Sequence, residues 1–183
     1  VDPFIGSAGT GHVTPGATVP FGMVFPAPDN ADRGWAYSAG YQHGDRRILG
    51  FSNTHQSGAG IPELGDVLLQ PRAGTAWGPG TRDFSAVKSG EQARPGRYRV
   101  RLAGHGVTVE LTAAPKVALQ RYRFDRPGRV QVLVDLQHGL NYVDQPSVLS
   151  ADVSDRPDGL QGTLHRKNWV ERQVSFVLQF SQP

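Results

Sequence analysis

A chain of 183 residues has the length of one ordinary domain, which excludes a multidomain enzyme but leaves room for a sizeable core. Its 23 Gly and 14 Pro demand many turns, while 38% apolar residues with 8 Phe, 5 Tyr and 3 Trp exclude a solvated, disordered tail. The net charge of +3 is dispersed, with three arginines against six acidic residues in 1–71 and no like-charge run beyond two or three, so no nucleic-acid partner is expected.

Cysteine is absent, which removes thiolate metal sites, redox motifs and disulfides together. No stretch approaches the roughly 20 apolar residues of a membrane span. No charged-then-apolar signal segment opens the chain, and a start at Val1 leads us to expect that something upstream has been removed.

Composition shifts near Arg72. Residues 1–71 hold 12 Gly and 7 Pro, so the short apolar pieces Val19 to Phe25, Ile48 to Phe51 and Val67 to Leu69 read as brief strands joined by long, structured loops. Loops of this kind usually carry sites. From residue 72 onward the period is two. Tyr98, Val100 and Leu102 face one way and Arg97, Arg99 and Arg101 the other; residues 103–106 turn the chain into Val107, Val109 and Leu111. Val117 to Phe124, the turn at 125–128 and Val130 to Leu136 read as a second hairpin, and Val174 to Phe180 as a last strand. Without a sustained 3.6-residue stripe, the expected fold is all-β, an antiparallel β-sandwich with long loops.

Four constellations could carry chemistry. Gly6 to His12 is glycine-rich, but no lysine follows and Pro15 stops any helix, so it reads as a turn rather than a phosphate cradle. Trp35, Tyr37 and Tyr41 lie in a glycine-framed loop and could form an aromatic wall against the apolar face of a sugar ring, or simply pack. The segment 51–66 concentrates Ser52, Asn53, Thr54, His55, Gln56, Ser57, Glu63 and Asp66, groups that suit a polyhydroxyl ligand or a buried loop backbone equally. Metal binding finds no support. His12, His43 and His55 are far apart and Asp29, Asp32 and Asp45 lack calcium-loop spacing, while the acid–base pair that Asp135 and His138 suggest lacks an accompanying nucleophile.

Several motifs in fixed order carry a resemblance. Residues 1–6 (VDPFIG), 14–23 (TPGATVPFGM) and 50–55 (GFSNTH), followed by Ser57-Gly58, Leu64-Gly-Asp66, Pro95-Gly-Arg-Tyr98, Val109-Glu-Leu-Thr112 and Arg121-Tyr-Arg-Phe124, resemble the amino-terminal domain of glycoside hydrolase family 92. The resemblance runs nearly end to end. It implies one β-sandwich domain over 1–183, with a loop-rich, site-forming part at 1–71 and a regular hairpin part at 72–183, from a larger two-domain glycosidase. That family comprises calcium-dependent, inverting exo-α-mannosidases whose general acid, general base and most calcium ligands come from an (α/α)6 barrel absent from this chain.

The expectations that follow are specific. The chain forms the substrate pocket of an exo-acting α-mannosidase, with no catalytic and no metal-ligating residue of its own, and is inactive in isolation. The residues expected at the sugar are Trp35, Tyr37, Ser38, His55, Ser57 and Asp66. The expected partners are a mannose-containing glycan and the barrel, calcium is expected mainly on the barrel, and the location is secreted or periplasmic. The alternative is a stand-alone lectin-like sandwich. Departures from the family pattern at Tyr37, Ser38, Ala39, Asn53 and Glu63 are expected to alter sugar selectivity by at most about 3 kcal/mol.

Overall fold

The computed structural model describes residues 1–74, 77–78, 81, 83–142 and 147–182. The chain divides into two compact units, Val1–Val143 and Asp144–Pro183. The compositional step near Arg72 falls inside a strand of the first unit.

In the first unit, strands β1 (Ala27–Asp29), β3 (Gly50–Ser52), β4 (Leu68–Ala73) and β9 (Val130–Asp135) make a four-stranded antiparallel sheet in the order β1-β3-β4-β9. Strands β2 (Arg47–Ile48), β5 (Ala86–Arg94), β6 (Arg97–Ala103), β7 (Val107–Ala114) and β8 (Val117–Phe124) make a five-stranded sheet in the order β2-β5-β6-β7-β8. The second unit is a three-stranded antiparallel sheet of β10 (Val148–Arg156), β11 (Gly159–Lys167) and β12 (Glu171–Gln179).

The period-two alternation is what builds the core of the first unit. Tyr98, Val100 and Leu102 of β6 and Val107, Val109 and Leu111 of β7 all turn inward and are buried with Ile48, Ala86, Ala17 and Phe51, the last supplied by the four-stranded sheet. Burying one such side chain contributes about 1.5–3 kcal/mol. Polar bridges join the sheets as well: Gln120 on β8 donates to the Phe51 carbonyl at 3.3 Å and to Asn53 Oδ1 at 2.9 Å. The fold is the expected antiparallel β-sandwich, without an α-helix among the described residues.

Two readings of the elements are corrected. The pieces β8 and β9 do not form a hairpin; after the turn at 125–128 the chain crosses to the other sheet, where β9 pairs with β4 from Leu68↔Asp135 to Ala73↔Val130. Alternation marks which face a strand buries, not which neighbour it takes. Val19 to Phe25 is loop, not strand. Phe21 sits at φ 59 and is fully exposed, a left-handed conformation that no β-ladder accommodates.

Candidate functional site

A buried carboxylate organises the loops. Asp29, at the end of β1, is fully buried, and its Oδ1 lies 2.8 Å from His55 Nε2 while its Oδ2 accepts from Ser52 Oγ at 2.6 Å and faces His138 Nε2 at 3.0 Å. The other nitrogen of His55, Nδ1, lies 2.8 Å from the Phe25 carbonyl, which can only accept. Both nitrogens of His55 therefore donate, and the ring is an imidazolium paired with a carboxylate. Burial alone would raise the Asp29 pKa, but the His55 charge and the hydrogen bonds from His138 and His55 outweigh it and hold the carboxyl well below its usual range. Burial alone would lower His55, but Asp29 and the Phe25 carbonyl raise it.

Ser52, His55 and Asp29 are the residue types of a nucleophilic triad, but their wiring differs. Ser52 gives its proton to the carboxylate, both contacts converge on one imidazole nitrogen, and Ser52 is itself fully buried. The cluster cannot present a nucleophile. What it does is tie β1, β3, the loop after β3 and residue 138 to one point. Gly40 is required beside it, since a Cβ there would lie 1.9 Å from Asp29 Oδ1 on a backbone at φ 74.

The exposed wall stands on neighbouring loops. Trp35–Tyr37 form a single 3-10 turn after Gly34, whose φ is 89, and Ser38 Oγ closes the turn on the Trp35 carbonyl at 2.7 Å. The Trp35 ring is half exposed and meets the His12 ring at 4.5 Å between centroids, tilted by 68°. Space for the indole exists because residue 60 is glycine: a Cβ there would lie 3.1 Å from Trp35 Nε1. The Gly58 amide donates to the His12 carbonyl at 2.6 Å and Ser57 Oγ accepts from the Thr14 amide at 3.3 Å. His12 is buried in a left-handed conformation, and neither of its ring nitrogens finds a hydrogen-bond partner among the described residues.

The six expected sugar-facing residues thus divide. Trp35 and Ser57 are exposed, and His12 and the 57–60 loop bring them into one neighbourhood. Tyr37 is half-buried and donates to Asp45 at 2.8 Å, a bond that, with burial, raises its pKa. Ser38, His55 and Asp66 point inward; Asp66 Oδ2 accepts from Thr54 Oγ1 at 2.6 Å, and Thr54 Oγ1 accepts from the Asp66 amide at 2.9 Å. Tyr41 is also buried, donating to Glu91 at 2.8 Å.

Sequence reasoning missed Asp29, His138 and His12 as participants. Asp29 and His138 have no local signal, since 109 residues separate them, and the Asp135 carboxylate instead accepts from the His138 backbone amide at 3.0 Å. His12 had one signal, a non-glycine residue framed by glycines, which marks a turn held in an uncommon conformation.

The donor set does not fit a calcium ion. Calcium takes six to eight oxygens, Asp29 is already satisfied by Ser52 and two histidines, and among the described residues no group of three or more His, Asp or Glu side chains is arranged so that it could hold a metal ion. No helix among them is long and apolar enough to cross a membrane.

The chain is 31% identical over 135 residues to a secreted glycosidase of Arthroderma benhamiae, covering 69% of this chain and 17% of that protein. Its structure is similar to that of a family 92 α-mannosidase of Bacteroides thetaiotaomicron solved in complex with mannoimidazole, with a TM-score of 0.86, 33% identity, and coverage of 96% of this chain and 24% of that one. A family 92 inverting mannosidase of the same organism shares the fold at a TM-score of 0.68 and 21% identity, covering 89% of this chain and 21% of that one. The chain therefore spans about a quarter or less of the length of these relatives. The family model of the glycosyl hydrolase family 92 N-terminal domain matches residues 1–183, and the chain belongs to that family.

Proposed function

We propose that this chain is the pocket-forming domain of a secreted or periplasmic exo-acting glycosidase that hydrolyses α-mannosidic linkages with inversion. The observation that carries the reading is the half-exposed Trp35 ring braced by His12 within loops that a buried ion pair anchors, in a chain of family 92. Trp35 supplies an apolar wall for the pyranose face, and Ser57, with Tyr37 behind the turn, supplies hydroxyl-directed contacts. His55, Asp66 and Ser38 serve the pocket from beneath by fixing the loops.

Acid, base and most calcium ligands come from a complementary (α/α)6 domain. An inverting glycosidase separates two carboxyl groups by about 6.5–9.5 Å around a water, and the buried, bonded state of Asp29 and Asp66 suits neither role. The similarity to an α-mannosidase at 33% identity supports the sugar, and the secreted relative supports the location.

Hydrolysis of an aryl α-mannoside tests the division of labour. The 183-residue chain alone is expected to be inactive, and the intact enzyme active. Turnover by the chain alone, abolished by replacing one of its own Asp or Glu residues, would overturn it. Calorimetric titration of the chain with mannose and mannobiose tests the lectin alternative, which requires appreciable affinity without the barrel.

A further inference from the structure

Register gathers on one face arginines that the sequence scatters. Residues paired across strands share a face, so Arg94 on β5 stands opposite Arg97 on β6, Arg99 and Arg121 flank Glu110, and Arg101 and Arg123 flank Thr108. Neighbours along a strand are about 6.7 Å apart and those across β7 about 9.6 Å. The side chains of Arg97 and Arg121 are 59% and 68% exposed. Among the described residues two carboxylates answer these six charges: Glu110 is shared by Arg97, Arg99 and Arg121, and Asp125 takes Arg101. Arg47, at the far edge of the sheet, is matched by Asp83. The six arginines and two carboxylates leave an excess of four positive charges on a protein whose net charge is +3.

A sheet serving its own stability would not place Arg94 directly across from Arg97, because like charges opposite one another destabilise a ladder. The side chains of Arg97, Arg101 and Arg121 are 59%, 45% and 68% exposed, so an external anion can reach their guanidiniums without stripping them from Glu110, whose own side chain is 13% exposed. The guanidinium fork matches phosphate and carboxylate oxygens in pairs.

We propose that the outer face of β5 to β8 binds an anionic polysaccharide through its phosphate or carboxylate groups. The choice of a glycan rests on the glycosidase reading; the charge geometry does not. A nucleic acid fits less well. Tyr98 and Tyr122 turn into the core and Val117 and Leu119 border the arginines, so this face presents no aromatic platform for bases among the described residues.

Affinity chromatography and calorimetry with phosphomannan, polygalacturonate and neutral α-mannan test the proposal without reference to hydrolysis. Retention is expected on one or both anionic polymers and not on neutral mannan, and the two arms separate phosphate from carboxylate recognition. Affinity should fall about tenfold or more between about 50 and 200 mM salt. The combined Arg99→Gln, Arg121→Gln and Arg123→Gln variant should lose at least about tenfold in affinity. Glu110→Gln should gain affinity, a result that misfolding cannot produce, and Lys167→Gln in the second unit should change nothing. Equal retention on neutral mannan, no retention on either anionic polymer, salt-independent binding, loss of affinity in Glu110→Gln, or tighter binding of duplex DNA than of either anionic polymer would each overturn the proposal.

Discussion

His138 Nε2 lies 3.0 Å from Asp29 Oδ2, a contact that spans 109 residues and completes, with His55 and Ser52, a buried charged cluster beneath the loops of the candidate pocket. Its position explains why polar residues that seemed free to meet a ligand are turned inward.

Removing the carboxylate leaves an imidazolium buried without its counter-charge. Asp29→Asn is therefore expected to lower stability by about 3–5 kcal/mol, read from the midpoint of urea unfolding at unchanged slope. A loss under about 1 kcal/mol would mean that the pair is solvated.

The pair also predicts a pH profile. Asp29 titrates below its ordinary 3.8 in the folded state, so its contribution is complete above about pH 4 and is lost as pH falls through the depressed value. His55 titrates above its ordinary 6.5, so its contribution is complete below about pH 6.5 and is lost as pH rises through the elevated value. Melting temperature should thus be highest between about pH 4 and 6.5. In Asp29→Asn the alkaline decline should disappear, because burial then disfavours the charged imidazole and stability rises through the neutral range.

Trp35→Ala in the intact enzyme should reduce kcat/KM about 10–100-fold on α-mannosides while shifting the melting temperature little, since the indole is half exposed. His12→Ala should give part of that loss and His12→Phe should restore it, because the ring edge is what braces Trp35. Unchanged kinetics with lowered stability would make the loop a structural element.

Two glycines at positive φ should behave differently. Gly34, at φ 89 and ψ 158, lies in a region that essentially only glycine adopts but has nothing within 4 Å of an added Cβ, so Gly34→Ala should cost only that backbone strain, about 1–3 kcal/mol. Gly40, at φ 74, would set its methyl against Asp29 Oδ1, so Gly40→Ala should cost clearly more and shift the pH profile as well. Thermal unfolding of both variants across pH compares them.

Legibility followed the range of the interaction. The hairpin of β6 and β7 could be read directly, because Tyr98, Val100 and Leu102 alternate with arginines and Gly104 and Gly106 mark the turn with φ 84 and 61. The crossing of β9 to the other sheet could not, since the alternation of Val130, Val132 and Val134 suits either neighbour. In the site, Trp35 stood out by its glycine frame. His55 stood out equally, but its loop context carried no mark of the carboxylate 26 residues away that would engage it.

By itself the sequence determined the class of fold, the family and the loops from which a pocket is made, because alternation, turn residues and ordered motifs are local properties of the chain. Tertiary structure alone decided which polar groups stay available. A buried carboxylate must be matched whatever its position in sequence, and Asp29 drew in His55, Ser52 and His138. Strand register likewise turned a dispersed +3 into one basic face, because pairing brings side by side residues that the chain keeps apart.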